Sequence, residues 1–204
     1  MRYYVKAVIF DLFETLVTEW GHEKYTKRKM AIDLGVDVKI FNDEWEHLHH
    51  DMYMGKYKDF TSALSFILNK MNLKIDPELI KTVAKKRIST KAKCFDPIAI
   101  NINIIAMLND IKHAGYKLGL ISNCDFSEIT AFRSFELYSL FDTVLLSCDE
   151  KLIKPDNAIY DLCAKKLNVI PSDCLFFGDG GCNELDGALN AGMKAAQAVW
   201  FIKV

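Results

Sequence analysis

The chain has 204 residues, half of them apolar, enough to bury a sizeable core or a core with a small inserted unit, and this excludes a single-segment peptide. Its 26 lysines and arginines nearly balance 27 aspartates and glutamates, with no run of five like charges, so neither a nucleic-acid footprint nor a polybasic membrane patch is legible. No stretch approaches the roughly 18 apolar residues of a membrane span, and residues 1–10 carry no cleavage pattern, so the expectation is a soluble, cytoplasmic protein whose partner is a small molecule.

Residues 5–10 form a short, apolar, partly β-branched run that stops at Asp11 and reads as the first strand. The interval from 17 to 95 is different in kind. It offers no clear strand, many aromatic residues (Trp20, Tyr25, Phe41, Trp45, Phe60) and apolar spacings such as Leu64, Ile67, Leu68 and Met71 that suit packed helices. That gap is far too long for an ordinary loop between strands. It reads as a helical bundle inserted over the carboxyl ends of the strands.

Beyond it, 99–113 carries Ile102, Ile105, Leu108 and Ile111 at helical spacing, with Gly115 as its stop. Strands are then expected at 117–121, 143–146, 174–177 and 195–199, separated by helices at 125–136, 156–168 and 184–191. Such alternation implies right-handed βαβ units, hence an α/β fold with a Rossmann-like, mostly parallel sheet flanked by helices and interrupted by a helical cap. The expected division is 1–16 and 96–204 for the core and 17–95 for the cap. After the last strand, Trp200, Phe201 and Ile202 have no following helix to cover them, so this end is expected to pack across the core or to join a subunit contact, the latter implying a homodimer.

Polar residues recur where strands end: Asp11 after the first, Ser122 after KLGLI, Lys154 in a turn before a helix, and Asp179 after CLFFG. Ligands of open α/β sheets bind beyond those ends, which makes four coincidences of this kind a site rather than a set of helix caps. Gly180 and Gly181 would allow a tight turn next to Asp179, whereas Gly192 reads as a helix stop. Six cysteines without a C-x-x-C pair read as reduced, mostly buried thiols. The HLHH run with His47, His49 and His50 reads as a partly exposed helix face, since no second ligand pair accompanies it.

The segments VIFDLFETL (8–16), LISN (120–123), Lys154–Pro155 and GDGGCNELDGALNAG (178–192) resemble, in order, the four motifs of the haloacid dehalogenase-like hydrolases. The resemblance implies a nucleophilic carboxylate at Asp11, with Thr15, Ser122, Asn123 and Lys154 completing the catalytic set. It also implies a magnesium ion held by Asp11, the backbone carbonyl of Phe13, Asp179 and Glu184. The helix-capping alternative for Glu184, a first-turn acid near Asn183, stands beside the metal role; Asp186 reads as a surface acid.

One position departs from the family pattern. Where its phosphatases carry a second aspartate two residues after the first, this chain has Phe13, which can neither protonate a leaving group nor activate water. Glu14 lies one residue too late to be equivalent. Three readings follow: a phosphohydrolase acting on substrates with good leaving groups, helped by a cap residue or by Glu14, Glu19 or the histidine cluster; a haloacid dehalogenase, although Asp179 is retained and neither Arg28 nor Arg87 has the context of a halide-receiving arginine; or a catalytically silent interaction protein.

Overall fold

The computed structural model describes residues 4–96 and 102–201. Five strands, β1 (Ala7–Phe10), β2 (Lys117–Ser122), β3 (Thr143–Leu146), β4 (Cys174–Gly178) and β5 (Lys194–Gln197), form one parallel sheet in the order β3-β2-β1-β4-β5. Helices α1 (Lys27–Leu34), α2 (Val38–Tyr53), α3 (Phe60–Lys70) and α4 (Pro77–Lys91) are inserted between β1 and β2 and make the cap. The core contributes α5 (Ile102–His113), α6 (Phe126–Ile129), α7 (Glu136–Ser139), α8 (Ser147–Glu150), α9 (Asn157–Lys166) and α10 (Glu184–Asn190). The start of the helix expected at 99–113 falls outside the described residues.

Side chains alternate across a strand, and β1 shows the consequence. Val8 and Phe10 enter one apolar cluster with Leu108, Leu118, Leu120 and Phe132, while Ala7 and Ile9 enter another with Ile121, Leu145, Tyr160 and Phe176. Both faces are therefore covered, as a parallel sheet requires. The cap has a third cluster of its own, built on Met30, Phe41, Trp45, Leu64 and Ile67. Burying each such side chain stabilises the fold by about 1.5–3 kcal/mol.

The cap helices begin at residues suited to the task. Thr26, Asp37, Asp59 and Asp76 each accept a backbone N–H of the first turn of α1 to α4, contacts worth about 1 kcal/mol apiece. Gly35 closes α1 in the left-handed region at φ +69°.

The helix expected at 125–136 is instead two short helices joined by a 3-10 turn at Phe132–Ser134. Phe132 and Leu137 both turn into one core cluster, and Phe135 between them is extended at ψ 143°, so the helix cannot run through. Among the described residues, no helix is long and apolar enough to cross a membrane.

Candidate active site

Because β2, β1 and β4 are neighbours and parallel, their carboxyl ends place Ser122, Asp11 and Asp179 along one edge of the sheet. Lys154 reaches the same point from the turn after β3 and α8. Its ammonium lies 2.5 Å from Asp11 Oδ1 and also bonds Glu184. Asp11, Lys154 and Glu184 are only 6, 3 and 2% exposed, so this is a desolvated charge cluster.

Burial raises the pKa of Asp11, against the pull of Lys154. Burial likewise pushes Glu184 up to about 7, again opposed by Lys154 and reinforced by Asp11. Burial disfavours the charge on Lys154, but Asp11 and Glu184 outweigh it and raise its pKa, so it remains an ammonium.

Glu184 opens α10, yet its carboxylate does not simply face the helix end. It turns back to accept the Gly180 N–H at 3.1 Å and the Lys154 ammonium. Gly178 makes this possible: a Cβ there would lie 2.0 Å from Glu184 Oε1. Tyr160 Oη donates to the Glu184 carbonyl at 2.8 Å and holds the helix start from below.

One carboxylate oxygen from each of Asp11, Asp179 and Glu184 lies within 4.8 Å of the others. This all-oxygen set fits a hard divalent cation. Asp179 is further ordered by the Gly181 N–H on its side chain at 2.9 Å, and its carbonyl accepts Gln197 Nε2 at 2.9 Å. Asp186 is exposed.

Two buried hydroxyls, Ser122 Oγ and Thr15 Oγ1, have no hydrogen-bond partner among the described residues. Buried donors are normally satisfied, so each of these hydroxyls calls for a polar partner. The Thr15 carbonyl accepts the Trp200 indole N–H at 2.7 Å, so Trp200 packs against the loop that follows β1, while Ile202 lies outside the described residues.

Asn123 has a role that its position did not announce. Its side chain donates to the Lys154 carbonyl at 2.9 Å and accepts the Lys154 N–H at 2.8 Å, a reciprocal clamp on the turn that delivers the ammonium. Tyr160, Gln197 and Trp200 also act on the site from 18 or more residues away; nothing local in the sequence distinguishes them from ordinary core, edge and surface residues.

The Phe13 ring is half-buried, meets Phe95 edge-on with centroids 6.2 Å apart, and has Lys91 Nζ 5.7 Å from its centroid. It serves the junction of core and cap. Glu14, at φ +56°, spends its carboxylate on Thr18 Oγ1 at 2.6 Å and the Glu19 N–H at 2.8 Å. Glu19 pairs with Lys91 and Lys24. His47 and His50 are exposed on α2, and the His49 ring packs against Tyr53 at a tilt of 51°, centroids 4.2 Å apart. Five cysteines are buried free thiols, and Cys182 is exposed.

The chain is similar to glyceraldehyde 3-phosphate phosphatase of Methanothermobacter thermautotrophicus, with 25% identity over 94% of this chain and 84% of the relative. It is also 25% identical to (S)-2-haloacid dehalogenase 1 of Pseudomonas sp. (strain CBS-3), over 84% of this chain and 75% of that protein. Among solved structures, a HAD family enzyme from Bacteroides thetaiotaomicron in complex with magnesium and inorganic phosphate shares the fold at a TM-score of 0.68 and 16% identity, covering 95% of this chain and 93% of that one. The family model of the haloacid dehalogenase-like hydrolases matches residues 5–192, and the protein belongs to that family of hydrolases.

Proposed function

We propose that the protein is a magnesium-dependent phosphohydrolase for a small phosphorylated metabolite with a good leaving group, acting through Asp11. The observation that carries this reading is that two buried hydroxyls lack partners, Ser122 at the end of β2 and Thr15 in the loop that follows β1, on the two strands nearest the buried Asp11–Lys154 pair. Such donors suit the oxygens of a phosphoryl group, which the site would otherwise leave unsatisfied.

Asp11 attacks phosphorus, forming an aspartyl phosphate as the bond to the leaving oxygen breaks; water then attacks that phosphorus, and inorganic phosphate and the free carboxylate are regenerated. Lys154 offsets negative charge between Asp11 and the transferring group, and Asn123 holds Lys154 in place through its backbone. Ser122, Thr15 and the Asn123 backbone N–H bind the phosphoryl oxygens. Asp11, Asp179 and Glu184, whose carboxylate oxygens lie within 4.8 Å of one another, would hold magnesium together with the Phe13 carbonyl, and the ion would supply neutralisation of the negative charge gathered there.

With Phe13 in place of a second aspartate, no side chain there protonates the leaving oxygen. Acyl phosphates and anhydrides need less of that help than alkyl phosphates. Phosphate release from acetyl phosphate is expected with magnesium, to fall to background with EDTA, and to drop by about 1,000-fold or more in Asp11→Asn. Simple alkyl phosphates are expected to be slower by at least about 100-fold. No magnesium-dependent release above the Asp11→Asn level from any of these would sink the reading.

The dehalogenase relatives and Phe13 keep a second reading in play, hydrolysis of a 2-haloacid. Arg87 is already committed to Ser127, Asp125 and Glu128, which weighs against its receiving a halide. Chloride release from 2-chloropropionate that is indifferent to EDTA would favour it.

A further inference from the structure

Outside the site lies a second buried charge cluster that the proposed chemistry does not use. Arg87 and Lys91 stand four residues apart on α4, the last cap helix, and so share a face. Their side chains are only 11 and 16% exposed. They meet Asp125 and Glu128 of the core: Arg87 lies 3.8 Å from Asp125 and 3.7 Å from Glu128, and Lys91 lies 2.8 Å from Glu128. Arg87 Nε also donates to Ser127 Oγ at 3.0 Å. Lys91 in addition bonds Glu19, in the segment that leads from β1 into the cap.

Each end of this cluster continues into something larger. On the cap side, the Arg87 guanidinium lies 5.2 Å from the Trp45 ring and 5.5 Å from the Phe60 ring, within the cap's own apolar core. On the core side, Asp125 and Glu128 form the capping box of α6, a helix of four residues that begins just after Ser122 and Asn123. So short a helix has no stability of its own. Its two buried carboxylates need the cap's cations to stay ionised there.

We propose that Arg87, seconded by Lys91, is a positioning residue that fixes the Ser122–Asn123 loop from the cap, so that the loop takes its working geometry only while the cap is docked. Anion binding at Ser122 and cap docking are then one event. The proposal rests on the phosphohydrolase reading for its ligand, but not for its structural consequence.

Hydrogen exchange separates the two. In Arg87→Met, peptides spanning 122–129 are expected to exchange at least about tenfold faster, with β4 and α9 unchanged. Inorganic phosphate, titrated with magnesium present, is expected to bind about tenfold more weakly. Arg87→Lys should recover most of both effects, and adding Asp125→Asn to Arg87→Met should recover part by removing the carboxylate that Arg87 alone faces.

Unchanged exchange at 122–129, or an increase spread evenly over the core, would overturn the proposal. If wild-type protein neither binds phosphate nor hydrolyses acetyl phosphate, the phosphohydrolase reading fails while the exchange result still decides this one.

Discussion

Glu184 shows how closely one side chain here depends on the absence of another. Its carboxylate occupies the space that a Cβ on residue 178 would take, 2.0 Å from Oε1, and it cannot retreat without giving up the Gly180 N–H and Lys154. Gly178→Ala is therefore expected to push Glu184 out of the cluster, to cost about 1–3 kcal/mol in stability, and to weaken magnesium binding by about tenfold. Thermal unfolding with and without magnesium would read both effects. Asp11, Ser122, Lys154 and Asp179 were legible in the sequence because strand ends and motif spacing are local properties. The Asn123 clamp was not, because it depends on how the turn at 154 meets the end of β2, 31 residues away. The second face of Glu184 was readable only as a choice between a helix-end acid and a metal ligand, and its carboxylate lies in the cluster with Asp11 and Asp179 although the residue also starts α10.

At the scale of elements, α6 carries two carboxylates whose environments pull in opposite directions. Burial raises the pKa of Asp125 above its ordinary 3.8, with Glu128 adding to the effect and Arg87 opposing it. Burial would raise Glu128 too, but Lys91 and Arg87 prevail and hold it below its ordinary 4.5. Between its folded value and 4.5 the unfolded chain binds more protons at Glu128 than the native one. Its contribution is therefore fully present above 4.5 and is lost as pH falls through the folded value. Asp125 acts the other way, its contribution falling as pH rises from 3.8 through its raised value. Glu128→Gln should cost about 3 kcal/mol at pH 7 and flatten the acid limb of urea midpoints measured from pH 3 to 6. The strands and most helices around α6 could be read from apolar period and turn residues. The break between α6 and α7 could not, because it is set by Phe132 and Leu137 both turning into the same core cluster, a demand of tertiary packing rather than of local propensity.

Over the whole molecule, cap and core are each stabilised by their own apolar clusters, and two chain crossings join them. Such an arrangement would ordinarily let the cap open or unfold by itself, since few contacts need break. Here Lys91 ties the entering segment, through Glu19, to the core helix α6, through Glu128, while standing on the exit helix α4. Opening the cap must therefore separate buried charges from their partners, a cost of several kcal/mol that couples the two units. Trp45 is 5% exposed in the cap, whereas Trp20 and Trp200 are already 52 and 45% exposed, so the emission shift on unfolding reports mainly on the cap. Cys163 on α9 and Cys174 at the start of β4, both fully buried, report on the core through their reaction with a thiol reagent. In the wild-type protein the two probes are expected to follow one urea transition. In Lys91→Met, which keeps the aliphatic stem but strands Glu19 and Glu128, the Trp45 transition should move to lower urea ahead of the thiols, by about 1 M. A single coincident transition in both proteins would mean that apolar contact alone couples the cap to the core.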